Sequence, residues 1–305
     1  MNRISIRKLK DEELKQAYRL VMNSFNALRR KNNLNPMKYR ATRPDPFLLH
    51  LKRTDPDGCI GAFDGDRMVG YASAIIRDYQ WYLAFLFVAP GKWNKGVGRK
   101  LLTRSLKIAD TESIRLFSLC TFSYNPAAVA LYSSFGMTPM EPIPVFMWPR
   151  DSKVKLKVNK PAAKLTTRII TDYEELGFIN KLDVKNRGLA RPEDHKFALD
   201  KPDTEVVMFY DGRRPVGYSV LQPEGPIAPI SAREPQYLAD MVNWSIRRQL
   251  DRETKVILIF CPGSNAKMVQ HLLKIGMQIR EINLLMSNKR FGDLECYLPA
   301  NLAIF

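Results

Sequence analysis

The stretch Phe87-Val88-Ala89-Pro90-Gly91-Lys92-Trp93-Asn94-Lys95-Gly96-Val97-Gly98-Arg99-Lys100-Leu101-Leu102 is suited to meeting an anion. An apolar run ends at Val88, a basic turn follows, and an amphipathic pattern begins near Gly96. With no Cβ at 96 and 98, backbone N–H groups can approach a ligand closely. A helix start adds about half a positive charge, and Lys92, Lys95, Arg99 and Lys100 add more. Together these predict a phosphate-binding turn. The spacing is neither the G-x-x-x-x-G-K-[ST] loop nor the dinucleotide G-x-G-x-x-G. Other reactive side chains are sparse. Asp78 and His50 are the nearest candidate bases, and each also reads as a surface residue. Cys120 sits in the apolar run Leu116–Phe122 with no base nearby, which reads as a buried small hydrophobe. There are three histidines and four cysteines with no C-x-x-C pair, so neither a disulfide framework nor a zinc module is expected and a reduced, cytoplasmic location fits.

The elements that position these residues follow from periodicity. Asp11 is placed to cap a first helix, in which Leu14, Ala17, Tyr18, Val21, Phe25 and Leu28 recur at three- and four-residue steps. Residues 29–58 read as a long irregular connection with a short helix around Pro46–Lys52. The Asp64-Gly65-Asp66 step between apolar runs predicts a hairpin of Cys59–Phe63 with Met68–Ile76. Strands are expected at Trp81–Val88, Leu116–Phe122 and Val145–Trp148, and a helix over Gly96–Ala109. Asn125 and Pro126 open another helix that carries Tyr132 and is stopped by Gly136. Residues 151–164, with Lys153, Lys155, Lys157, Lys160 and Lys164, read as a basic linker or an exposed edge strand. The expected domains are therefore 1–150 and 165–305.

The second half echoes the first. Glu12-Glu13-Leu14 recurs as Glu174-Glu175-Leu176. Phe63-Asp64-Gly65 with Val69-Gly70-Tyr71 recurs as Tyr210-Asp211-Gly212 with Val216-Gly217-Tyr218. Asn125 with Phe135-Gly136-Met137 recurs as Asn265 with Ile275-Gly276-Met277. Three blocks in one order argue for a duplicated fold. The rear copy has no glycine between Gly225 and Gly263, reads there as a plain helix over Ser231–Leu250, and carries Leu272 in the place of Tyr132. It keeps the scaffold and loses the site.

On these residues the chain resembles the GNAT acyltransferase superfamily. The family pattern Q/R-x-x-G-x-G/A is occupied by Trp93-Asn94-Lys95-Gly96-Val97-Gly98, with Trp93 standing where the family has Gln or Arg. The family's Asn-opened helix carrying a Tyr and ending in F-G-F/M is matched by Asn125, Tyr132, Phe135, Gly136 and Met137. The resemblance spans residues 3–148, and 165–290 as a degenerate copy. It implies a mixed α/β fold, two tandem domains each with a twisted, mostly antiparallel sheet flanked by helices. It implies acetyl-CoA or another acyl-CoA as co-substrate, without metal. The pyrophosphate would lie on the amides of Trp93 through Arg99, and the pantetheine would pair with Leu86, Phe87 and Val88 as an added strand does. The N–H of Val88 would stabilise the oxyanion. Tyr132 would be the general acid, since a phenol of pKa ~10 stays protonated above a thiol of ~8.5. The free carboxylate of Phe305 is a further candidate base able to reach a site in the front copy.

The function so implied is N-acetylation of a primary amine, small molecule or protein, by direct attack. Aromatics at Tyr39, Phe47, Tyr79, Trp81 and Tyr82 suggest an apolar component of the acceptor pocket. Two other classes stay open: an acyl-CoA-binding regulator without turnover, and a nucleic-acid or tRNA binder. The second is motivated by 48 Lys plus Arg against 31 Asp plus Glu, a net charge of +17. At 45% apolar and 26% charged the chain is not read as disordered. Its longest apolar run, Trp81–Ala89, is far short of the ~20 residues a membrane span needs, and no membrane partner is expected. Met1–Lys10 lacks the apolar block of a secretory signal.

Overall fold

A computed structural model describes residues 4–39, 45–109, 113–158 and 165–305. The chain divides into two compact units. The first comprises Met1–Cys120 and Tyr124–Thr138, the second Thr121–Ser123 and Pro139–Phe305.

In the first unit, β1 (Ser5–Lys8), β2 (Cys59–Asp64), β3 (Arg67–Arg77), β4 (Gln80–Val88) and β5 (Leu116–Phe122) lie side by side in that order. All neighbours are antiparallel except β4 and β5, which are parallel. The β2–β3 turn is the expected hairpin, with Gly65 at φ 59°. On one face pack α1 (Leu14–Lys31) and α2 (Pro46–Thr54), burying Leu14, Ala17, Leu48, Met68 and Tyr71 together. On the other face α3 (Val97–Leu106) buries Val97 and Leu101 against Ile60, Ala62 and Ala72. Asp11 does not cap α1. It opens a single 3-10 turn whose Glu13 carboxylate takes the Lys10 N–H at 2.8 Å. Asp45 caps α2, accepting from the N–H groups of Phe47 and Leu48. The short α4 (Pro126–Ser133) is capped by Asn125 and ends before Phe135, with Gly136 at φ 84° after it.

Two irregularities set β4 apart from its neighbours. Its register slips between Ser73 and Ala74, which face Phe85 and Leu83, so Ala84 is an extra, bulged residue. The bulge exchanges the faces of the strand. Trp81 points to the α3 side, its indole donating to the Ser105 carbonyl, whereas Phe85 and Phe87 join the α1–α2 side. Second, β4 pairs with β5 only from Gln80 to Leu83. Gln80 Nε2 pins that closed end to Ser118 Oγ at 2.7 Å. From Ala84 to Val88 no parallel partner continues the pairing.

In the second unit, β13 (Tyr297–Leu298), β10 (Ile227–Ala232), β9 (Arg214–Leu221), β8 (Glu205–Asp211) and β7 (Leu165–Ile170) form an antiparallel sheet in that order. It is flanked by α5 (Leu176–Arg187), α6 (Pro192–Asp200) and α7 (Pro235–Asp251). The strands β12 (Gln278–Ser287), β6 (Thr138–Pro149) and β11 (Val256–Phe260) lie side by side in that order, with α8 (Ala266–Lys274) connecting β11 to β12. The element order of the first unit is thus repeated. The compact units part at Thr138–Pro139, upstream of the basic segment. β6, the last strand of the front copy in sequence, pairs antiparallel with β11, Val145 opposite Phe260 and Pro149 opposite Val256. It does so because Phe146 and Trp148 bury among Val207, Phe209, Ile257 and Ile259. Lys153–Val158 forms no strand. It is held by its backbone, Val154 O accepting from the Trp148 indole and Lys157 N donating to Ile275 O. Lys160 and Lys164 lie outside the described residues. The helix expected over Ser231–Leu250 is two elements, the end of β10 and then α7 from Pro235.

Candidate active site

The alternation of an antiparallel pair decides which backbone groups of β4 are available. Ala89 N–H donates to Val69 O, so Phe87 with Tyr71 is again a bonded pair, and Val88 with Gly70 and Leu86 with Ala72 are not. The N–H and C=O groups of Leu86 and Val88 therefore point away from β3, into the gap where β5 has parted from β4. Phe87 spends its backbone on β3 and turns its ring to the α1–α2 face. The Val88 carbonyl is not idle. It accepts from Trp93 Nε1 at 2.6 Å.

The glycine turn stands at the end of this gap. Gly96 is the N-cap of α3 at φ 76°, a left-handed conformation that favours glycine. The first bond of the helix runs from Lys100 N–H to Gly96 O, leaving the N–H groups of Val97, Gly98 and Arg99 without helical partners. A Cβ on Gly98 would lie 3.5, 3.6 and 3.8 Å from the side chains of Leu131, Leu86 and Val88. The end of β4, the start of α3 and helix α4 thus meet at Gly98. Val97 buries its side chain in the α3 core and offers only backbone. Asn94 is exposed in a left-handed turn at φ 58°. Lys92 is committed to Asp64 at 2.6 Å. Lys95 bonds the Gly91 carbonyl, and Arg99 bonds Ser134 Oγ at 3.0 Å and covers the Phe135 ring. Neither Lys95 nor Arg99 has an acidic partner among the described residues, and Lys100 beside them is exposed.

Tyr132 is on α4, next to Leu131, with 5% of its surface exposed. Its hydroxyl has no hydrogen-bond partner among the described residues. Burial pushes its pKa well above the ordinary range, so it is a proton donor at any neutral pH. Asn125 accepts from Ala128 N–H at 3.4 Å and acts as the cap of this helix.

The remaining candidates fall outside this convergence. Asp78 is an exposed turn residue at φ 55°. His50 is 8% exposed on α2, on the far face of the sheet from α3. Trp81 and Tyr82 are fully buried, so they line no open pocket. Cys120 is a neutral thiol, pushed up to about 12 by burial. Phe305 is buried in the second unit, its carbonyl held by Arg187 and its ring beside Phe291 and Tyr297. Two contributors escape a reading of the sequence: the bulge at Ala84 and the bond of the Trp93 indole. A bulge leaves no mark in an apolar run, whereas a Trp in place of Gln or Arg is visible as a departure.

The rear copy supplies a contrast. Where the glycine turn would be, Arg233-Glu234-Pro235 joins β10 to α7. Pro235 has no N–H to give and Glu234 brings a negative charge. Among the described residues no cluster of three or more His, Cys, Asp or Glu is arranged to hold a metal, and no helix is long and apolar enough to cross a membrane.

Residues 22–137 match the sequence profile of the Acetyltransferase (GNAT) family. No curated protein matches the chain by sequence. Among solved structures the chain is similar to a candidate acetyltransferase of Pyrococcus horikoshii, with TM-score 0.78, 13% identity, and 99% of this chain and 96% of that one covered. It is similar to a GCN5-related N-acetyltransferase of Sphaerobacter thermophilus, at TM-score 0.70 and 15% identity, covering 96% and 98%. A tandem GNAT protein from the clavulanic acid biosynthesis pathway is similar at TM-score 0.60 and 14% identity, covering 93% and 98%. At these identities the likeness is one of fold.

Proposed function

We propose, on the premise that residues 22–137 form a domain of the acetyltransferase (GNAT) family, that this protein transfers an acyl group, acetyl above all, from a coenzyme A thioester to a primary amine. One observation carries the reading. The outward backbone groups of Leu86 and Val88, the uncovered N–H groups of Val97, Gly98 and Arg99, and the helix of Tyr132 converge at Gly98.

Each part has a task. The α3 N-terminus with Lys95, Arg99 and Lys100 holds the pyrophosphate. The pantetheine lies along β4 past Ala84, in the place a further strand would take. The neutral amine attacks the thioester carbonyl carbon. A C–N bond forms as the C–S bond breaks, and the developing oxyanion is met by the N–H of Val88, with that of Leu86 as a second donor on the same side. Tyr132 gives its proton to the departing thiolate and regains one from solvent, into which the amine nitrogen releases its own. The products are an amide and free coenzyme A. The rear copy, with Glu234 and Pro235 at its turn and Leu272 in place of Tyr132, is a scaffold.

The test is thiol release from acetyl-CoA with a panel of amines, alongside calorimetric binding of coenzyme A. Binding with turnover is expected. Binding without turnover on any amine would make the protein a sensor of acyl-CoA instead, and absence of binding would end the reading.

A further inference from the structure

The rear copy repeats the geometry that opens the gap in the front one. Its strand β10 slips by one residue against β9 between Ile227 and Ile230, as β4 slips against β3 between Leu83 and Phe85. It meets β11 in the parallel sense at Pro226 and Leu258, as β4 meets β5. Gly217 faces Ala232 as Gly70 faces Val88, so Ile230 corresponds to Leu86 and Ala232 to Val88. Arg233 N–H donates to Val216 O, as Ala89 N–H does to Val69 O. By the same alternation, Ile230 and Ala232 turn their backbone groups away from β9. A slot of the same construction therefore stands in the rear copy.

That slot is filled by the chain itself. β13 pairs antiparallel with β10 on the side away from β9, Leu298 opposite Ile230 and Tyr297 opposite Ser231. The outward groups of Ile230, which in Leu86 face the gap, are thus turned to Leu298. The Ala232 carbonyl, counterpart of that of Val88, accepts from Asn186 Nδ2 at 2.7 Å. In the front copy the place beside Leu86 carries no strand among the described residues.

The filling segment is tied at several points. Asp293 N–H donates to Asn186 O at 2.6 Å, and Glu295 O accepts from Asn265 Nδ2 at 2.8 Å. The Tyr297 hydroxyl accepts from Arg191 Nη2 at 2.6 Å, and Arg191 Nε is bonded to the Asp183 carboxylate at 2.8 Å. Asp183, Arg191 and Tyr297 are all fully buried, and Leu298 packs in the core with Ile227, Ile230 and Ile259. Buried charges that no step of the acyl transfer uses thereby acquire a task, which is to anchor this segment.

We infer that Asp293–Leu298 is an internal strap, held by Arg191 and Asp183, that occupies in the rear copy the place of an extended cofactor arm, and that the protein therefore takes a single coenzyme A thioester, in the front copy. Loss of the glycine turn removes only phosphate contacts from the rear copy. The strap removes the place of the arm as well. What the front slot holds rests on the acyltransfer reading above, whereas the closure of the rear slot stands without it.

The experiment is residue-resolved amide hydrogen exchange of the whole protein, with and without coenzyme A, together with the calorimetric stoichiometry of coenzyme A. In the free protein the Ile230 amide should exchange at least ~10-fold more slowly than that of Leu86, because only the former is covered by a strand. Coenzyme A should slow Leu86 by ~10-fold or more, leave Ile230 unchanged and bind once per chain. Tyr297→Phe keeps the ring and removes the bond to Arg191, so it should speed exchange at Ile230 by ~10-fold and leave Leu86 as it was. Exchange at Ile230 as fast as at Leu86, slowing of Ile230 by coenzyme A, or two molecules bound per chain would overturn the strap. Indifference of Ile230 to Tyr297→Phe would overturn its anchoring. A protected Ile230 beside a Leu86 that coenzyme A does not affect would leave the strap standing and remove the acyltransfer reading.

Discussion

Trp93 Nε1 donates to the carbonyl oxygen of Val88 across 2.6 Å, occupying one of the two outward-facing groups of that residue. The Lys31 ammonium lies over the indole, 5.9 Å from the ring centre. An extended arm lying along β4 would use that carbonyl as an acceptor, so it competes with Trp93 for it. Trp93→Phe keeps the ring and removes the donor. Coenzyme A should then bind ~2- to 10-fold more tightly, the worth of one neutral hydrogen bond. Adenosine 3′,5′-bisphosphate, which lacks the arm, should bind unchanged. Equal effects on both ligands would show that Trp93 serves the phosphate turn and not the arm.

Gly98 sits where three elements meet, but a methyl there makes only ordinary contacts, 3.5 Å at the nearest. Gly98→Ala should therefore keep the fold and lose coenzyme A affinity by no more than ~10-fold. Gly98→Asp adds a carboxylate at the helix N-terminus and should weaken binding beyond ~100-fold with an unchanged circular dichroism spectrum. Retained affinity in the Asp variant would refute the turn as the phosphate site.

Tyr132→Phe removes the proposed acid and leaves the packing of α4 alone. kcat should fall by ~10²–10⁴ and the dissociation constant for coenzyme A should stay within twofold. Because burial raises the Tyr132 pKa above the ordinary ~10, the protonated donor persists to high pH. The native enzyme should show no loss of kcat from this group up to about pH 10. An alkaline limb near pH 8 that vanishes in the Phe variant would contradict the assignment.

Asp183 is a stability residue. Burial by itself would raise its pKa, but Arg191 and His195 beside it hold it far below the carboxylate range. A depressed folded-state pKa means that its contribution is complete above the unfolded value of ~3.9 and is lost as pH falls through the folded one. Asp183→Asn leaves Arg191 buried without its counter-charge, and should cost ~3–5 kcal/mol in urea unfolding at pH 7. A loss under ~1 kcal/mol would mean that the network relaxes around the gap.

How far the sequence reaches can be judged residue by residue. Asp64-Gly65 announces the β2–β3 hairpin because glycine there adopts a left-handed turn at φ 59°. Pro46 and Pro126 mark helix starts because a first-turn residue needs no N–H. The two faces of β4 are only half legible. Residue type and place in the chain group Trp81 with an acceptor pocket, although it is fully buried and faces α3. Strict alternation along Trp81–Val88 assigns Trp81 and Phe85 to one face, and only the bulge at Ala84 separates them.

The amino-acid order by itself determined the local conformations, the duplication and the glycine turn, because each depends on residues within a few positions or on matching blocks. Partners across the chain were decided by the tertiary structure. That β6 pairs with β11, that β4 and β5 part after Leu83, that Trp93 reaches Val88 and that Tyr218 meets Asp183 all depend on which apolar faces bury together. Strand patterns carry a period but no address for the neighbour, so packing alone selects it.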